Sequence, residues 1–457
     1  MRSKIIVSTL ATVILSLGVS SAMASFVPTV IYSEVPGHST AQVPGLSPGV
    51  EFDSFDRPYV SSDGNWWIIS ASSNLPTAED EVIIVGSGTS GTVTVREGTP
   101  ALWITGENVG LIDRNMGINN SGQYTFATNT DGPTTDDEYI VRWGGAAFEA
   151  VAQEGKPLPG LPTENFGSTL NSPHITNGGT VGFRATATVG ALPSTDDDFL
   201  FHGAAALAQS NVTVPGNQAG GATEAWGTFD SEDYYHDATG SHYIIQGDLN
   251  GATSGDDVVV VDGNVVIQED SFISGLGSPV NTILEIEMSS NGDWFARGGN
   301  DDLVDWVVGN TGLLAKTGDE ITPGAGEHFS DAIYGSTFFL QTGNGLGDYI
   351  IAGTTDAVDP DFDAVLVLNG TKVVARQGDP VDIDGNGLFD DDAFLDIFNN
   401  DDSFLTDDLR YYFTADLRNG LGDSLGQAFI VMQVPEPGSL ALLGLAGLLL
   451  LRRRRHR

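Results

Sequence analysis

Apolar residues along this chain gather in short runs bounded by glycine, asparagine, aspartate or proline, and three kinds of run recur in a fixed order. The most regular is an acidic residue set before an apolar strand: Asp80 (DEVIIVG), Asp137 (DEYIVRW), Asp198 (DFLFHG), Asp257 (DVVVVDG), Asp302 (DLVDWVVG), Asp363 (DAVLVLNG) and Asp423 (DSLGQAFIV), at spacings of 57, 61, 59, 45, 61 and 60. Ahead of each stands a glycine turn leading into an aromatic strand: SSDGNWWIISA, NNSGQYTFAT, NGGTVGFRAT, TGSHYIIQG, SSNGDWFARG and YGSTFFLQTG, with a seventh, DDLRYYFTADL at 407–417, that lacks the glycine. Turn residues followed by aromatic and β-branched runs are hairpin chemistry. A third element follows the acidic strand and ends in a glycine or Pro-Gly turn, as in REGTPALWITG, QEGKPLPG and RQGDPVDIDG, and it occurs six times.

After Asp423 there is no room for a seventh copy, but VIYSEVPGHSTAQVPG (Val30 to Gly45) has the same strand-then-Pro-Gly character. A radial array of small sheets leaves an unpaired edge at its seam, and lending the N-terminal strand to the last sheet removes it. The pattern therefore predicts an all-β fold, a seven-bladed β-propeller over residues 25–434 closed by an N-terminal strand. A pair of β-sandwiches or an open β-array are the other arrangements it allows. A solenoid would need distinctive caps. The ARQGD strand end (Ala375 to Asp379) and the Asn-Gly turns are similar to tandem repeats in surface proteins with exchangeable C-terminal anchors, which implies architecture and no activity.

The two ends read as addresses. Arg2 and Lys4, an apolar stretch from Ile5 to about Val19, and Ala22-Met23-Ala24 form a secretory signal over residues 1–24, cut after Ala24. At the other end Pro435-Glu436-Pro437 precedes an apolar run from Gly438 to Leu451, and arginines follow. That run is 14 residues long, where a permanent span takes ~20. Its arginines orient it with the body outside. This tripartite tail, residues 435–457, resembles the PEP-CTERM sorting signal of Gram-negative and related bacteria. The resemblance implies a short transmembrane helix over 438–451 and cleavage near Pro435 to Pro437 by an exosortase-like enzyme, with the membrane as a partner before processing, while the N-terminal signal implies Sec-type export.

Charge narrows the partners. The chain has 61 acidic residues against 19 basic, a formal charge of -42, and seven of the basic ones sit at the extreme ends. Such a field repels phosphate backbones and anionic lipid, which argues against nucleic acid. There is no cysteine, so disulfides, zinc-thiolate sites and cysteine nucleophiles are excluded.

The sharpest local motif is DIDGNGLFDDD, in which Asp382, Asp384 and Asn386 alternate, Gly387 follows, and the Leu388 carbonyl and Asp390 complete an oxygen set. Calcium takes six to eight hard oxygens, which such a loop can wrap around one ion. The loop resembles the first nine positions of an EF-hand or dockerin-type loop and departs at the last, where Ala393 stands for the bidentate Glu and Asp391 or Asp392 could substitute. Calcium and an unmetallated acidic hairpin tip both remain open. SSDGNWW and SSNGDWF resemble Asp-box turns but are one residue short between Gly and Trp, so they read as hairpin turns with a buried Trp. His236 and His242, amid Glu232, Asp233 and Asp237, form the one dense His/carboxylate patch. No nucleophile elbow, P-loop or Rossmann fingerprint is present, and no catalytic or organic-cofactor residue is assigned.

These features describe an exported, cell-surface or matrix-associated protein that binds or builds, with exopolysaccharide as the partner the sorting resemblance implies. The alternative is a secreted glycan-active hydrolase or lyase on the same propeller. Convergent carboxylates and aromatics in the central channel would favour the enzyme.

Overall fold

The computed structural model describes residues 28–434 except 189, 191, 252–253 and 331–335, and leaves aside the side chains of 231–233 and 400–402. The signal segment with Ala22 and Ala24, the Pro435-Glu436-Pro437 motif and the apolar run 438–451 lie outside the described residues. Among those described, no helix is long and apolar enough to cross a membrane.

Seven antiparallel sheets make the blades of a β-propeller. In blade 1 the order from the axis outward is Phe52–Phe55, Trp67–Ser73, Val82–Ser87 and Ser90–Arg96, and blades 2 to 6 repeat this meander. Blade 7 takes Phe394–Leu405, Arg410–Arg418 and Ser424–Gln433 from the C-terminal end and its outermost strand, Thr29–Ser33, from the N-terminal end. The predicted closure is therefore present. Seven apolar clusters fill the seven spaces between neighbouring blades. The third strand of each blade meets two of these spaces, which is why it reads as an unbroken apolar run in sequence; Ala364–Leu368 is buried at every position.

Each recurring element has a structural job. The glycine turn joins the first and second strands, and Gly64, Gly122, Gly179, Gly240, Gly292 and Gly347 all have positive φ there. A Cβ on Gly122 would stand 2.9 Å from the Trp66 ring of the preceding blade, and one on Gly292 would stand 2.6 Å from His242. In blade 7 Leu409 holds this conformation at φ 61 and is buried, offsetting its backbone strain with core contact. The third element is the hinge between blades. Gly98, Gly155, Gly318 and Gly378, or Asn211 and Asp270 in their stead, adopt positive φ and donate their N–H to the carbonyl of a residue opening the next blade.

Two repeat assignments need correction. In blade 6 the aromatic FFLQTG run is the innermost strand, Phe338–Gly343; the second strand is Tyr349–Thr354, after the turn at 344–348. In blade 5 the acidic residue directly before the third strand, Trp306–Gly309, is Asp305, while Asp302 belongs to the preceding turn. The Asp-box-like turns are hairpins, with Trp67 fully buried; in the second, Phe295 takes the buried place and Trp294 is half-buried.

Candidate functional site

The turns between first and second strands converge at one end of the axis and close into a hydrogen-bonded belt. Asp407 N–H donates to the Ser62 carbonyl at 2.8 Å, Ser62 Oγ to Asn120 Oδ1 at 3.1 Å, and Asn120 N–H to Asn177 Oδ1 at 3.0 Å. Asn177 N–H donates to the Ala238 carbonyl at 2.7 Å and Ala238 N–H to the Ser290 carbonyl at 3.1 Å. Ser290 Oγ and the Gly345 amide both donate to Asp407 Oδ1, at 3.3 and 2.7 Å. All seven blades contribute. Short polar residues of the turns in blades 1, 2, 3, 5 and 7 serve this belt with side chain or backbone, and blades 4 and 6 join it through the backbone of Ala238 and Gly345.

Inside the belt lies a cavity of about 120 Å³ lined by residues of the innermost strands, among them Tyr235, Glu287 and His174, and by Arg57 and Tyr59 from the segment that follows Phe52–Phe55. Arg57 reaches in from blade 1. Its guanidinium lies 3.3 Å from Tyr235 Oη and 3.5 Å from Glu285 Oε1, and 5.6 and 5.8 Å from the Tyr59 and Tyr235 ring centres. Carboxylates and aromatics thus converge in the channel, but around a cation. Glu287, buried, also accepts from Thr342 Oγ1 at 2.7 Å. Burial weighs against Arg57's charge, and Tyr235, Tyr59, Glu285 and Glu287 outweigh it, raising its pKa further.

The predicted His/carboxylate patch separates in space. His242 pairs with Asp262 at 2.7 Å near the surface, and Asp237 caps its own turn by accepting from the Ser241 and His242 amides and from Thr239 Oγ1. The side chains of Glu232 and Asp233 lie outside the described residues. His236 instead meets His174 and His202: one ring nitrogen of each lies within 4.8 Å of one from the other two. His174 belongs to the innermost strand of blade 3, Leu161–Ile175; His202 ends the third strand of that blade, and His236 ends the innermost strand of blade 4. Burial holds all three below the ordinary imidazole pKa, His236 down to about 3.

In the acidic loop the structure brings Asp382, Asp384 and Asp391 together. The Asp382 carboxylate accepts from the amides of Gly385, Asn386 and Gly387, and Asn386 Nδ2 donates to Asp384 and Asp390. The Leu388 side chain is exposed. The loop lies at the seam: Val30 N–H donates to the Asp382 carbonyl and Asp382 N–H to that of Pro28, each at 3.1 Å.

Comparison with known proteins bears on the ends more than on the channel. The sequence profile of a family of unknown function, DUF7453, matches residues 37–252, less than half of the chain. That of the PEP-CTERM protein-sorting motif matches residues 433–455. No curated protein matches. Among solved structures, an oligogalacturonate lyase in complex with manganese is similar at 12% identity and a TM-score of 0.32, over 83% of this chain and 76% of that one. A puromycin hydrolase is similar at 12% and 0.40, over 90% of this chain and 57% of that one, so this chain spans little more than half of it. A protein of unknown function from Dyadobacter fermentans is similar at 10% and 0.34, over 90% and 99%. None of these likenesses carries an argument about activity.

Proposed function

We propose, for a chain that carries a PEP-CTERM sorting motif and is therefore an exported substrate of an exosortase-type enzyme, that the propeller is a binding or structural module of the cell surface or extracellular matrix. The observation behind this reading is a junction. The last strand of the closed body, Ser424–Gln433, stops beside Pro435-Glu436-Pro437, so a cut at the motif leaves every blade whole. Carboxylates and aromatics do converge in the channel, as the enzyme alternative expects, but Glu285 is engaged by Arg57 and Glu287 by Thr342, which weighs against either as a free general acid or base. Exopolysaccharide is the partner we assign. Fractionation of the native host should find the body in the surface or extracellular fraction, co-sedimenting with purified host polysaccharide. A body left in the cytoplasm, or one that ignores the polysaccharide, would sink this assignment.

The same reading gives the Asp382 loop a calcium ion that clasps the seam, held by Asp382, Asp384 and Asn386 with the Leu388 carbonyl, and by Asp390 or Asp391. Convergence of three carboxylates against the closing strand favours it. An ion at ~100 times its dissociation constant stabilises by about 2.7 kcal/mol. Thermal melting should therefore shift upward with calcium and back with chelator, and Asp384→Ala should abolish the difference. Identical melting curves with and without calcium would remove the ion from the account.

A further inference from the structure

We propose that His174, His202 and His236 form a binding site for a divalent transition-metal ion of the zinc class. The donors come from two blades, 28 and then 34 residues apart in sequence, and only the packing of blade 3 on blade 4 brings them together. Imidazole is a good ligand for zinc, and three protein ligands leave a tetrahedral ion one position for water or another small ligand.

Hydrogen bonding prepares the rings. The Ser172 carbonyl can only accept, so at 3.3 Å it fixes the proton of His174 on Nδ1 and leaves a lone pair on Nε2. Tyr234 Oη donates to the Phe201 carbonyl at 3.0 Å, so its contact with His236 Nε2 at 2.7 Å is one in which the ring donates. That leaves the lone pair of His236 on Nδ1. Among the described residues, the buried imidazole nitrogens with no hydrogen-bond partner are His174 Nε2, His202 Nδ1 and His236 Nδ1. A backbone carbonyl or hydroxyl orienting the far nitrogen is the usual outer support of a metal-bound histidine. Three neutral imidazoles are the protonation state a cation requires.

Space is kept for the rings as well. A Cβ on Gly182, the register partner of His174, would sit 2.1 Å from His174 Nε2, and one on Gly240 would sit 2.9 Å from His202 Nε2. A tetrahedral ion at ~2.0–2.1 Å from each nitrogen holds them roughly 3.3 Å apart, so binding would draw together nitrogens that now lie within 4.8 Å of one another. No carboxylate is needed to complete the set. His174 Nε2 and His236 Nδ1 are buried lone pairs without a protein donor, which is costly for a merely structural contact.

The test is zinc titration of the mature chain, stripped with chelator and held in excess calcium so that surface carboxylates are saturated. The wild type should retain one zinc per chain through gel filtration. His202→Gln and His236→Gln should each bind at least ~10-fold more weakly, with metal-free melting curves confirming that the blades still form. Should His236→Gln fail to fold, His202→Gln, at the more open side of the cluster, decides. Cobalt in place of zinc should give the strong visible absorption of a tetrahedral site. Failure of the wild type to retain zinc, equal retention by the His202 variant, or a pale octahedral cobalt spectrum would each overturn the proposal.

Discussion

Deleting residues 25–35 from the mature chain should abolish cooperative folding. The lost strand contributes Val30 to the cluster between blades 6 and 7, and Ile31 and Tyr32 to the one between blades 7 and 1. Val35 is buried beside it, and Tyr32 Oη accepts the Gly91 amide of blade 1 at 2.9 Å. Each such side chain stabilises by about 1.5–3 kcal/mol. Four of them amount to ~6–12 kcal/mol, which matches the whole net stability of a typical domain at 5–15 kcal/mol. The deletion also bares Ser424–Gln433 as an unpaired edge, so aggregation should follow. A milder change at the same place, Ile31→Ala, should cost ~2–5 kcal/mol and keep the fold. Circular dichroism and denaturant titration measure both. A truncated chain that melts as cooperatively as the parent would show that the seam is not what holds the ring.

The second large effect is expected at Arg57. Its single charge pairs with Glu285 at 3.5 Å and is felt by Glu287 nearby, and all three side chains are largely withdrawn from water. Removing one partner of a buried ion pair leaves the other uncompensated, at about 3–5 kcal/mol. Arg57→Ala should therefore lower the denaturant midpoint clearly. The double variant Arg57→Met with Glu285→Gln should recover part of the loss, because the strain lies in the stranded carboxylates and not in the missing contact. An Arg57→Ala chain within about 0.5 kcal/mol of the parent would mean that water reaches these groups and the channel is open.

The blades were legible because their third strands are buried on both faces. A run such as DVVVVDG cannot alternate when Val258, Val259 and Val260 all meet apolar neighbours, and its recurrence counted the ring. Closure was legible as an absence, six hinges for seven strands, with the missing strand waiting at Val30. In blade 6 the Gly335-Ser336-Thr337 lead-in and the two aromatics of FFLQTG make an innermost strand look like a second one. The channel was hidden. Arg57 is a lone arginine in FDRPY, and nothing local says that it will face Tyr235 and Glu285 across the axis. The histidines were hidden for a related reason. His242 is close to His236 in sequence yet turns to Asp262, while His174 and His202 arrive through blade packing. Sequence proximity ranked the wrong neighbours, and only the tautomer-fixing contacts from Ser172 and Tyr234 mark the right ones.

Mass spectrometry of the mature protein from its native host tests most directly whether the ring is the delivered product and the tail only its address. Cleavage after Ala24 and again near Pro435 to Pro437 is the expected result, leaving a chain that begins at Ser25 and ends just past the last blade strand. A mature protein whose C-terminus is still Arg457 would contradict it.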